Sequence, residues 1–255
     1  WDRYLADVAQ ANTVIENIDK VPDASLTATE RRQWKAEAKI FRSLVWFDMV
    51  RLWGNIPVVT KEGTDITAEN IEEVYPLYYP KQTAPADTYA QIIKDLTEAI
   101  DDAPANNAGD KTVLSKSVAK ALLAKAYAEK PARDYTKVLQ YCNDVIADGF
   151  KLNPSFGDIY ALNSAGTDLK NRSTAESILE VNFFPGGGNW VTWMFGKDLL
   201  DPEANFSWAK WVTPTRDLIA AFTAENDNIR KNESIVYYQA SWSNYYPSSS
   251  YPFMY

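Results

Sequence analysis

The 255-residue sequence contains no histidine and a single cysteine, Cys142. Without histidine, Ser-His-Asp and Cys-His nucleophiles are ruled out, and the commonest transition-metal ligand is missing. With only one cysteine, a structural zinc site has too few ligands and an internal disulfide has no second sulfur. Cys142 falls in a helical pattern and is expected to be a small, buried apolar residue. No run of about 18 uncharged apolar residues occurs, so no segment is expected to cross a membrane as a helix. Positive charge is also scarce: 26 Lys and Arg against 34 Asp and Glu leave a net charge of −8. That balance excludes a nucleic-acid partner, which needs clustered cations. No leader precedes Trp1, which opens directly on a helical pattern, so a fragment or processed form is expected.

What is present reads first as helix. Leu5, Val8, Ala9, Asn12, Ile15 and Ile18 recur at helical spacing and predict a helix over Asp2–Asp19, ended by Pro22. A second helix begins near Thr29, capped by Thr27 or Thr29, and runs to Trp53. A third covers Ala86–Asp102, with Tyr89, Ile92, Ile93, Leu96 and Ile100 inward. A fourth runs from Lys116 to Lys130 with Ser115 as its cap. A fifth spans Asp134–Asp148 and closes at Gly149.

The fourth and fifth helices match a tetratricopeptide unit: Leu123, Ala124 and Tyr127 on one, and Val138, Cys142 and Val145 on the packing face of the other. The second and third form another such unit if residues 54–85 are an insertion. Stacked repeats usually need about three units to be stable. The expected fold class is therefore mainly α, with tetratricopeptide-like helical repeats in 1–152. Residues 153–255 are expected to be an irregular, aromatic-rich region of loops and short strands that meets ligand. Within it, Ser177–Phe184 and Ser234–Gln239 read as strands. Thr215–Glu225 reads as a short helix with Leu218, Ile219 and Phe222 inward and Thr213 or Thr215 as its cap.

Aromatic residues crowd the last third. Large rings in loops give rigid contact area at low entropic cost, and sugar rings offer apolar C–H faces that stack on them. Trp190, Trp193, Trp208, Trp211, Trp242 and Tyr245, with the polar neighbours Asn189 and Asn205, are the candidate ligand-binding residues. The competing reading is that these rings are core. Asp198, Asp201 and Glu203 lie near the tryptophans, but nothing singles out a catalytic carboxylate pair. Asp158 and Asp168 flank a polar loop and offer a weak structural calcium site at a spacing unlike known calcium loops. Gly186-Gly187-Gly188 lacks the lysine and strand-to-helix context of a phosphate loop.

The stretch Glu37–Thr60 is the most specific. It is apolar nearly all round, with Ile40, Phe41, Leu44, Val45, Phe47, Val50 and Leu52, and such a helix is normally buried on several sides. Asp48 and Arg51, three apart, are expected to pair. Gly54 suits the helix end, and Pro57 prevents a return to helix. The pattern Ala36-Glu37-Ala38, Phe41-Arg42, Trp46-Phe47, Val50-Arg51, Trp53-Gly54 and Ile56-Pro57-Val58 resembles the hallmark helix of the SusD/RagB family. Supporting pieces are the Asp87–Pro104 helix, KSVAKALLAKAYAEK, ESILEVNF and TPTRDLIAAF, in the family's order.

The resemblance covers most of the chain and implies a nutrient-binding outer-membrane lipoprotein on the extracellular face. Such proteins cap a SusC-like TonB-dependent transporter as a hinged lid and deliver a glycan or peptide without cleaving it. The implied protein is not an enzyme and carries no cofactor. Family members are typically longer, beginning with a lipid-modified cysteine and ending in more helical repeats; neither is found here, so the membrane link would be an anchor outside this chain. Site residues vary with substrate in the family, so none is carried over. Two alternatives remain: a helical-repeat scaffold that binds only proteins, and a carbohydrate-active hydrolase.

Overall fold

The computed structural model describes residues 1–105, 109–165, 168–183, 214–237 and 252–254. Two compact units are present, Trp1–Leu152 with Ala175–Glu180, and Asn153–Thr174 with Val181–Tyr255.

The first unit is helical. Helix α1 spans Asp2–Asn17 and runs into a 3-10 turn at Ile18–Lys20. Helix α2 spans Ala28–Trp53. Thr27 caps it in a reciprocal box, its Oγ1 accepting from the Glu30 amide while the Glu30 carboxylate accepts from the Thr27 amide. Gly54 ends α2 at φ +74° and ψ −103°, a conformation that disfavours any side chain. Strand β1 (Ile56–Pro57) pairs antiparallel with β2 (Gln82–Thr83), closing the base of the 54–85 insertion. Between them lies a helix that periodicity did not reveal, α3 (Ile71–Tyr78). Helix α4 (Pro85–Ala99) starts on a proline, whose missing N–H costs nothing there. Helices α5 (Lys116–Ala128) and α6 (Tyr135–Ala147) complete the unit. Asp134 caps α6 by accepting from the Thr136 and Lys137 amides, and Gly149 follows it at φ +98°.

Helices pack in chain order: α1 on α2, α2 on α4, α4 on α5, α5 on α6. The core they enclose centres on Ile40, Trp46, Met49, Leu96, Ala119, Leu123 and Ala126, all fully buried. Burial of the larger of these, Ile40, Met49, Leu96 and Leu123, is worth roughly 1.5–3 kcal/mol each and helps hold these helices together.

Several expectations are corrected. Arg51 does not pair with Asp48; it lies over the Phe47 ring and bridges to Glu129 at 3.3 Å, because its side chain runs back along α2 toward the end of α5. Leu52 is 64 % exposed, although its neighbour Trp53 packs edge-on against the Trp1 and Tyr4 rings. Ser115 stands at the N-cap of α5, but its hydroxyl makes no cap bond and is buried without a partner. The start of α5 is held instead by the Lys116 amide on the Pro104 carbonyl at 2.9 Å. Cys142 is exposed rather than core. It shares the outer face of α6 with Tyr135, Leu139 and Ile146, which no described element covers; Val145 is the residue turned to the core.

The segment read as a strand at Ser177–Phe184 forms no strand over its described residues, 177–183. Its Glu180 amide donates to the Lys111 carbonyl at 2.8 Å. Adjacent Ile178 and Leu179 both touch the core, which breaks the alternation of a strand.

In the second unit α7 (Arg216–Ala224) is capped by Thr215, which accepts from the Leu218 amide. Ile219 and Phe222 are half-buried, but Leu218 is exposed, contrary to the inward face expected for it. Helix α8 (Asn228–Ser234) leads into β3 (Ile235–Tyr237), which pairs antiparallel with β4 (Pro252–Met254). Asp158 is bridged by Lys170 at 2.9 Å and Asp168 by Arg172, so both carboxylates of the suggested calcium loop carry cationic partners.

Candidate functional site

A cavity of about 440 Å³ opens in the helical unit between α1, residues 57–63 and the end of α3. Helical periodicity builds its first wall: Leu5, Val8, Ala9, Asn12 and Thr13 fall on one face of α1. The extended chain after β1 supplies Pro57, Val59 and Lys61, and α3 with the following turn adds Leu77, Tyr78 and Pro80.

Asn12 is the floor. It is 1 % exposed, and a buried amide must be satisfied. Its Nδ2 donates to the carbonyls of Val59 at 2.9 Å and Lys61 at 3.3 Å, fixing the extended wall. Its Oδ1 accepts from Arg42 Nη1 at 2.5 Å. The Arg42 guanidinium also forks onto Asp95 Oδ2, at 2.9 and 2.6 Å, and reaches the Thr60 carbonyl at 3.3 Å. Gln91 donates to the other Asp95 oxygen at 2.9 Å. Burial pushes the Asp95 carboxyl above its ordinary range, and the Arg42 charge and hydrogen bonds oppose that shift. The hallmark arginine is thus a buried strut that joins α1, α2, α4 and the cavity wall.

The rim is stitched to α1 as well. Glu62 accepts from Thr13 at 2.9 Å and Asn17 at 2.6 Å, while its amide donates to Glu16 at 3.1 Å. Tyr78 lies across Gly63 so closely that a Cβ there would meet its ring at 3.0 Å, and its hydroxyl donates to the Thr64 carbonyl. Tyr75 of the same short helix stacks on Tyr79, which follows the helix, with centroids 4.7 Å apart and planes at 25°. Tyr75 and Tyr78 are each 50 % exposed and Tyr79 67 %, so α3 presents aromatic surface beside an apolar hollow with a few fixed polar groups. Sites for small ligands have that make-up.

The residues singled out by sequence, Asn189, Trp190, Trp193, Asn205, Trp208, Trp211, Trp242 and Tyr245, lie outside the described residues, as do Asp198, Asp201 and Glu203. Tyr75, Tyr78 and Tyr79 were missed. Their signal was present as three tyrosines in five positions, interrupted by Pro76 and followed by Pro80, but it sat inside what read as an insertion between two repeat helices. Among the described residues no cluster of three metal-ligating side chains occurs, and no helix is long and apolar enough to cross a membrane.

A model of SusD-like proteins, described as starch-binding associating with outer membrane, matches residues 1–128, half of the chain. The chain belongs to the SusD-like family. A curated SusD-like protein from Bacteroides ovatus is 27 % identical to it over 197 residues, which is 73 % of this chain and 33 % of that protein. The SusD-like fold is shared with the surface glycan-binding protein A from Bacteroides uniformis, at 18 % identity and a TM-score of 0.73 over 100 % of this chain and 53 % of that one. It is shared equally with a laminarin-binding SusD-like protein, at 18 % identity and a TM-score of 0.69 over 100 % of this chain and 57 % of its counterpart. This SusD-like chain therefore spans about a third of the length of that curated relative and about half that of the solved structures.

Proposed function

We propose that the chain is part of a non-catalytic glycan-binding protein of the cell surface. It takes up an oligosaccharide and hands it to a SusC-like TonB-dependent transporter, for which it serves as the lid. A lipid anchor at the extracellular face of the outer membrane would hold it there, and no cofactor is needed. The observation that carries the reading is the tyrosine-bearing helix α3 beside the 440 Å³ cavity. Exposed rings stack on the C–H faces of a sugar while carbonyls and carboxylates at the rim accept from its hydroxyls. The carboxylates there are already engaged in structural hydrogen bonds, which suits binding better than acid–base chemistry. Two proteins of the same fold are named for binding, one for laminarin and one for a glycan, which favours a glycan over a peptide. The tryptophans at 190, 193, 208 and 211 remain proposed contacts of the same ligand.

Isothermal titration with a panel of oligosaccharides, β-glucans first, tests the reading. Tyr75→Ala with Tyr79→Ala should weaken binding about tenfold or more without product release, since each aromatic contact is worth about 0.5–1.5 kcal/mol beyond area. Trp193→Ala and Trp208→Ala should do the same if those rings share the ligand. Undiminished binding in all three variants, or hydrolysis of the glycan, would sink the proposal.

A further inference from the structure

A second hollow, of about 410 Å³, is an open groove on another face of α1 and α2. Trp34, Glu37 and Phe41 line it from α2, Gln10 and Val14 from α1, and Leu114 closes one end. Small side chains at Ala11 and Ala38 give it depth. Trp34 is 51 % exposed there, a large aromatic left open on a packed helix pair.

Glu37 is the unusual member. It is half-buried, yet no hydrogen bond or ion pair to it exists among the described residues. Burial raises its carboxyl above the ordinary glutamate range, with no opposing partner. The lysines two positions away on either side are committed elsewhere, Lys35 to Asp19 at 2.6 Å and Lys39 to Glu98 at 2.7 Å. The positions that could reach it along the helix hold Gln33, Trp34, Ile40 and Phe41, none of them cationic. A carboxylate that loses water and gains no partner lowers stability, and groups kept at such a cost are commonly there to bind something.

We propose that this groove seats an arginine or lysine side chain of a protein partner, with its stem on Trp34 and Phe41 and its cationic head on the Glu37 carboxylate. An indole face attracts a cation, and a carboxylate in a half-dry groove makes a strong charge-assisted bond with it. The net charge of −8 also steers a basic segment toward the chain. A neutral sugar would leave the Glu37 charge uncompensated, which sets this groove apart from the tyrosine-lined cavity. The inference does not depend on the glycan reading.

The test is an NMR titration of the whole chain with acetyl-Leu-Arg-Leu-amide and its neutral citrulline analogue, read at the Trp34 indole N–H and the Glu37 amide. The arginine peptide should shift both signals and bind about tenfold more tightly than the citrulline peptide, the size of one charge-assisted bond. Glu37→Gln should erase that preference while leaving the fold intact, and Trp34→Ala should weaken both peptides. Equal binding of the two peptides, or a preference that survives Glu37→Gln, overturns the proposal. So do shifts at these signals produced only by an oligosaccharide or by raising the protein concentration.

Discussion

Helix α2 carries two charged residues of the hallmark pattern in opposite circumstances. Arg42, 3 % exposed, has every direction of its guanidinium answered by Asp95, Asn12 and the Thr60 carbonyl, with Trp46 beneath it at 4.9 Å. Glu37, five positions earlier, is only half-buried and has no hydrogen bond or ion pair among the described residues. The difference teaches that depth of burial does not by itself mark a functional charge. A deep charge survives only when its partners make it structural, whereas a shallower one can stay unpaired at modest cost and remain available to a ligand.

The contrast can be broken most forcefully at its structural end. Asp95→Ala should leave the Arg42 charge buried and unpaired and lower stability by about 3–5 kcal/mol, read by chemical denaturation. A loss below about 1 kcal/mol would mean that water reaches the pair. Asn12→Ala should cost about 1–3 kcal/mol, because Arg42 and two carbonyls each lose a partner. It should also loosen residues 59–61 and weaken glycan binding at the cavity, which a purely structural asparagine would not do.

At the other end of α2, Glu37→Gln should raise Tm by on the order of one degree at neutral pH. The sign follows from the raised carboxyl. A group whose folded pKa lies above its unfolded one is harmless below the unfolded value and costs stability as pH rises through the folded one. The gain should therefore vanish in acid, below the ordinary glutamate range, and thermal melts across pH 3–8, a window of about five units around the usual glutamate value, would reveal it. A variant less stable than the parent at neutral pH would show that Glu37 has an internal partner. The smallest effect concerns Cys142: its thiol should react with a disulfide reagent in the folded chain at near the rate of a free thiol, with no change in stability.

Helix positions were legible because each signal was local. Thr27, Gly54 and Gly149 each act through neighbours within a turn. Apolar spacing gave α1, α2 and α4 their inner faces for the same reason. Errors appeared where a residue's fate depends on what lies across from it. Cys142 and Val145 are equally apolar on paper, but only one faces α5. Ile178 and Leu179 sit where strand alternation placed one of them outward, yet both rest on the helical core. For the candidate site, aromatic crowding drew attention to the last third, while the tyrosines of α3 were hidden by a helix of 8 residues, too short for periodicity to register.

The sequence by itself determined that this protein is mainly helical, with no histidine and a single cysteine. Composition and turn-length motifs decide such matters, and they need no knowledge of distant residues. Tertiary structure alone decided that Arg42 meets Asp95 across 53 positions, that Asn12 holds the chain at Val59, and that Glu37 has no ion-pair partner among the described residues. The physical reason is that charge pairing and cavity shape depend on distances in space, and a buried group's energy is set by neighbours that the chain brings together only when it folds.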